Sequence, residues 1–144
     1  MKKIGKIITV IVVSLLLLIF TQRCKNGKVN QNNNQMLHVG VFNGNGASPI
    51  CVLETLEALK VDTGIISESV SASDIMNGKL NNLDVMIFPG GSASQEYNNM
   101  GLEAAEKVKA FGQQKNHGLV GICAGGYLFS TTPGYPSLQI FPAP

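Results

Sequence analysis

The residues of this chain with the strongest claim to chemistry lie in one run, Gly118-Leu119-Val120-Gly121-Ile122-Cys123-Ala124-Gly125-Gly126-Tyr127. Leu119 to Ile122 reads as a short apolar strand, Cys123 follows it directly, and the small residues after it can open a helix. Gly121 and Gly125 lie two residues to either side of Cys123 and give G-x-C-x-G. This is the thiol counterpart of the G-x-S-x-G elbow, where a nucleophile is held on a strained strand-to-helix turn. Such a turn needs small neighbours, because the next elements crowd it. The plainer alternative is a structural cysteine at a strand end, followed by an ordinary glycine turn.

Other residues able to do chemistry are few. Cys24, Cys51 and Cys123 are the three cysteines, an odd number without C-x-x-C spacing, and neither of the two histidines stands in a ligand pattern. A structural zinc site is therefore not expected, and no metal or cofactor is assigned. A Cys51–Cys123 bridge in an oxidising compartment stays open and would consume the proposed nucleophile. Cys51 falls in the first turn of a predicted helix, where packing is the simpler role. The formal charge of +2 conceals an asymmetry. Six of the eleven basic residues precede position 29 and all nine acidic residues follow it, leaving the later stretch with five basic residues, a formal −4. A mildly acidic domain with no basic stripe argues against a nucleic-acid partner.

The elements that must position Cys123 begin well inside the chain. Lys2, Lys3 and Lys6 precede an apolar run from Ile7 to Phe20, interrupted only by Thr9 and Ser14. A basic start and an apolar run of this length predict a signal peptide or membrane anchor over residues 1–23. Cys24 is then a possible lipidation site, although Arg23 stands where a small residue should precede a lipidated cysteine. Residues 24–35, polar and rich in asparagine, read as a tether. Export or anchoring in the cell envelope follows, with the membrane as a partner of the N-terminal segment and the folded domain over 36–144.

Within that domain strands and helices alternate. Leu37–Phe42 is a strand candidate ending in the loop Asn43-Gly44-Asn45-Gly46. Ser48 and Pro49 read as N-cap and first helical residue of a helix over Ile50–Lys60, with Ile50, Leu53, Leu56 and Leu59 as its apolar stripe. Thr63–Ser67 is a second strand, Ser73–Gly78 a helical turn, and Asp84–Phe88 an apolar third strand ending in Pro89-Gly90-Gly91-Ser92. Leu102–Gly112 is a helix with Leu102, Ala105, Val108 and Phe111 on one stripe and a Glu103–Lys107 pair. Gly118–Cys123 is the fourth strand and Ala124–Ser130 the start of its helix. This order predicts an α/β fold with a mostly parallel sheet, whose ligands bind beyond the carboxyl ends of the strands. Asn43, Gly44, Asn45, Gly46 and Ser92 are thereby a possible ligand loop set beside Cys123. Gly44-x-Gly46-x-x-Pro49 lacks the third glycine of a dinucleotide fingerprint.

Phe88-Pro89-Gly90-Gly91, followed about thirty residues later by the Cys123 run, resembles the class I glutamine amidotransferase-like superfamily, and within it the N-terminal domain of biotin-protein ligases. The resemblance covers Leu37 to Tyr127 and implies a flavodoxin-like three-layer sandwich. It implies Cys123 at the nucleophile position and an oxyanion hole from backbone N–H groups of Ala124 and of Gly90 or Gly91. Members with amidotransferase chemistry place a histidine and an acid after the elbow. Here Leu128 to Pro144 contains no His, Asp or Glu. His117 and His38 begin strands and fall at the amino edge of the sheet, His117 roughly 20 Å from Cys123 at strand rise. The expectation is an envelope-exposed amidotransferase-like domain, truncated at its C-terminus and inactive for want of a His/Glu partner. The alternative is a membrane-tethered module binding a small molecule or peptide without catalysis. Ligase chemistry is not implied, since it belongs to a separate catalytic domain.

Overall fold

The computed structural model describes residues 36–141. The expected leader or anchor (1–23), the tether (24–35) and Cys24 lie outside the described residues. The ten elements, in order, are β1 (Leu37–Phe42), α1 (Pro49–Leu59), β2 (Ile65–Val70), α2 (Ala72–Met76), a 3₁₀ turn (Lys79–Asn82), β3 (Val85–Phe88), α3 (Ala93–Met100), α4 (Leu102–Gln113), β4 (Gly118–Gly121) and α5 (Ala124–Leu128). Among the described residues no helix is long and apolar enough to cross a membrane.

The strands form one sheet in the order β2-β1-β3-β4, and every pair is parallel. This is the doubly wound, flavodoxin-like order, in which the chain leaves β1 to one side and returns to its other side at β3. Alternate residues of a strand face opposite layers, and the core divides accordingly. Val39 and Val41 of β1 and Ile87 of β3 pack with Val52 of α1 on one face. Phe42, Met86 and Phe88 point to the other, against Ile75 of α2, Ala104, Ala105, Val108 and Phe111 of α4, and Ala124 and Leu128 of α5. Helices on both faces of a parallel sheet give the three-layer α/β sandwich expected from the alternation.

Several boundaries and faces differ from the expectations. The second strand is Ile65–Val70, shifted toward the C-terminus from Thr63–Ser67, because Asp62 accepts from the Gly64 N–H at 2.8 Å and holds a turn there. Helix α3 was not predicted; only Ala93, Glu96 and Met100 of its eight residues are buried, too polar a face to read as amphipathic. In α1 the stripe is rotated. Val52 is buried with Leu56 and Leu59 partly buried against it, whereas Ile50 and Leu53 are 58% and 53% exposed. Positions 52, 56 and 59 satisfy helical spacing as well as 50, 53, 56 and 59, and periodicity alone does not choose between them. Leu102, assigned to the α4 stripe, is 73% exposed, while Ala104 takes a buried position beside Ala105. The Glu103–Lys107 pair is present at 3.6 Å.

Candidate functional site

Register brings the chemistry-bearing loops to one edge. Val41 pairs with Ile87, and Phe88 with Gly121, so β1, β3 and β4 end together. Just beyond β4, Cys123 adopts φ 54° and ψ −112°, a region that side chains other than glycine rarely occupy. The turn is closed by Gly125 N–H to Ile122 O and Gly126 N–H to Cys123 O, both 3.0 Å. Its two flanking glycines are forced. A Cβ on Gly121 would lie 2.5 Å from the Gly125 carbonyl oxygen, and one on Gly125 would lie 2.0 Å from that of Phe88. The sequence folds into an elbow here because α5 must start directly against the end of β3. The result is an exposed cysteine between the carboxyl end of β4 and the start of α5.

Across from it, the Pro89–Ser92 loop is fastened to the loop after β1. Ser48 N–H donates to Gly90 O at 2.9 Å and Ser92 N–H to Gly46 O at 2.8 Å, bracketing an antiparallel bridge between Ala47 and Gly91. In this pattern the N–H of Gly91 takes no part in the pairing. The N–H of Ala124 is the first of α5, a position with no partner inside a helix. Gly90 is buried beside the elbow, where a Cβ would sit 3.7 Å from Cys123 Cβ. Three of the four expected groups, Cys123, Gly90 and Gly91, line one groove of about 440 Å³, and Ala124 lies next to Cys123 in the chain. Asn43, Gly44, Asn45, Gly46 and Ser92 do not line it. Gly46 and Ser92 act by tying the two loops together, and Asn43 and Asn45 are exposed.

Two residues in the groove were not expected there. Cys51, in the first turn of α1, lines it with Cys123, and Glu54 stands one turn further along. The N-cap at Ser48 and the hydrogen bond to Gly90 carry the start of α1 to the carboxyl edge, so its first turn faces the elbow. The helix-opening Ser48-Pro49 was the signal available in the sequence. No histidine joins them. His117 packs its ring 4.5 Å from that of Phe111, in a separate cavity of about 330 Å³ at the amino end of β4. His38 is exposed near the start of β1, where its N–H donates to Asp84 Oδ2 at 2.8 Å.

One further ionisable group escaped sequence reading. Glu96, in the first turn of α3 after the glycine loop, is fully buried, and neither carboxyl oxygen has a partner among the described residues. Burial pushes its carboxyl from the ordinary 4.5 up to about 7. Its backbone backs the loop after β1, since a Cβ on Gly46 would meet the Glu96 nitrogen at 2.4 Å.

No curated protein matches this sequence. Among solved structures, the fold is similar to that titled "putative protease I" from Bacteroides thetaiotaomicron, with 25% identity and a TM-score of 0.50. The likeness covers 62% of this chain and 64% of that one, so the chain spans less than two thirds of the solved protein's length. The sequence profile of the family described as "Biotin-protein ligase, N terminal" matches residues 37–135, which hold β1 through the elbow and α5. With the parallel sheet, the paired glycine loops and the match over most of its length, this chain belongs to the biotin-protein ligase N-terminal family, on a glutamine amidotransferase-like fold.

Proposed function

We propose that residues 36–141 form an amidotransferase-like carbonyl-binding domain in which Cys123 occupies the nucleophile position without a complete catalytic triad. The observation that carries this is the Cys123 backbone, φ 54° and ψ −112°, set beside Gly90 and Gly91. Such a turn presents Sγ to a carbonyl carbon while backbone N–H groups of Ala124 and Gly91 approach the oxygen. Attack would add Sγ to the carbonyl and leave negative charge on that oxygen. Completing turnover requires a base to activate water and an acid for the leaving group. Among the described residues no imidazole reaches the groove and Glu54 is its one carboxylate, so the expected course is acylation of Cys123 without turnover.

Alkylation of the native protein by iodoacetamide near neutral pH tests the assignment. Cys123 is expected to react well before half-buried Cys51; slow, equal labelling of both would remove the elbow from consideration. An activated ester then probes turnover, and a single burst without a steady state is the expected course.

The second reading is a binding module for a small molecule or peptide, favoured by the apolar side chains of Ile87, Ile122 and Leu59 along the same groove. It differs in one respect: Cys123→Ala would leave ligand affinity intact. We also place the domain at the cell envelope, supported by the basic and apolar N-terminal run with Cys24 behind it. Palmitate incorporation that is lost in Cys24→Ser supports lipid anchoring, and unchanged incorporation excludes Cys24 as the acceptor. Recovery of the full chain only in the soluble cytosol would defeat the envelope assignment.

A further inference from the structure

We propose that Cys51 and Cys123 are a reversible thiol pair, in which Cys123 is captured by a low-molecular-weight disulfide and Cys51 resolves the adduct into an intramolecular bridge. Both thiols are free and both line the groove. Both lie against the position of the side chain that Gly90 lacks: a Cβ there would be 3.0 Å from Cys51 Sγ and 3.7 Å from Cys123 Cβ. Their exposures suit different roles. Cys123 is exposed and open to an incoming disulfide, while Cys51 is half-buried. The spacing is held by the Ser48 N–H bond to Gly90 O at 2.9 Å, which fastens the first turn of α1 to the glycine loop.

The exchange proceeds in two steps. Cys123 thiolate attacks one sulfur of RS–SR, forming Cys123–S–S–R and releasing RS⁻. Cys51, as thiolate, then attacks Cys123 Sγ, forming the Cys51–Cys123 bond and releasing the second RS⁻. The two protons lost by the cysteines end on two molecules of RSH, and the two electrons reduce the disulfide. The bridge occupies the only described thiol at the elbow, so the oxidised groove can neither be alkylated nor form a carbonyl adduct. Such a pair closes the site without depending on whether Cys123 turns over any substrate.

The test treats the full-length chain with oxidised glutathione, followed by non-reducing tryptic mass spectrometry. A linked pair of the peptides spanning residues 29–60 and 116–144 is expected, with loss of iodoacetamide labelling at Cys123 that a reductant restores. Cys51→Ser should stop at a glutathionyl adduct on Cys123. Gly90→Ala crowds Cys51 Sγ and Cys123 Cβ with a methyl group and should shift the product from bridge to adduct. Bridging of the native chain should exceed that in urea by about tenfold, since the fold raises the effective concentration of the two thiols. A glutathionyl adduct accumulating on the unmodified chain as it does on Cys51→Ser would overturn the proposal. So would a bridge that forms equally in urea, or one that joins Cys24 to Cys123.

Discussion

The carbonyl oxygen of Phe88 occupies the space that a side chain on Gly125 would need, with 2.0 Å between that oxygen and a Cβ built on the glycine. The same oxygen accepts the N–H of Ile122 at 2.9 Å, so it cannot withdraw without releasing the end of β4. Gly125→Ala is therefore expected to destabilise the domain by about 1–3 kcal/mol, in the range of overpacked cores. It should also abolish fast alkylation of Cys123. Gly126→Ala is the control, because the nearest atom to its Cβ lies 3.9 Å away. Chemical denaturation of the two variants, with alkylation rates alongside, separates a forced glycine from an incidental one. Equal stability would show that the elbow can relax.

Cys123 supplies a second prediction from the same turn. Its φ of 54° and ψ of −112° fall where glycine is comfortable and a Cβ is not. Strain of this kind amounts to about 1–3 kcal/mol. Cys123→Gly should thus be more stable than Cys123→Ala by about 1 kcal/mol, allowing for the greater freedom glycine has when unfolded. Both variants lack the thiol, so their difference reports the backbone alone. An alanine variant as stable as the glycine one would mean that the turn carries no strain.

How much of this was legible follows from which signals are local. G-x-C-x-G and the Pro89-Gly90-Gly91 run announce their geometry in a few residues, and the alternation of strands and helices places both at one sheet edge. The role of Cys51 is not local. It depends on Ser48 bonding to Gly90 across some forty residues of chain; Ser48-Pro49 marks where the helix opens, but not which loop it is fastened to. Glu96 was hidden for a related reason. A glutamate in the first turn of a polar helix reads as solvated, and its burial comes from α3 lying between the Gly46 loop and the core.

The rotated face of α1 gives a third prediction. Val52 is 5% exposed against the sheet, whereas Leu53 beside it is 53% exposed. Val52→Ala should cost about 1–3 kcal/mol through lost burial and a residual cavity. Leu53→Ala should stay within about 0.5 kcal/mol of the parent, as surface substitutions do. Urea titrations of the two variants decide between the two stripes. A larger loss at Leu53 than at Val52 would turn the helix back to the face its leucines first suggest.

Glu96 makes stability depend on pH in a direction opposite to ordinary acid denaturation. The folded carboxyl keeps its proton to about 7, while in the unfolded chain it ionises near 4.5. Between those values the folded state binds more protons, so stability falls as pH rises. The benefit is fully present below 4.5 and is gone above about 7. The gap between the two values corresponds to about 3 kcal/mol. Asp74 works the other way: hydrogen bonds from the Ser71 side chain and backbone hold its carboxyl below 3.8, so its contribution is lost only at lower pH. Glu96→Gln removes the titration but leaves a buried amide in need of partners, so its absolute stability is not the useful readout. The slope is. Urea unfolding at about pH 5 and about pH 7.5 should show the parent losing stability as pH rises and Glu96→Gln nearly level. Parallel slopes in the two proteins would place the titrating group elsewhere.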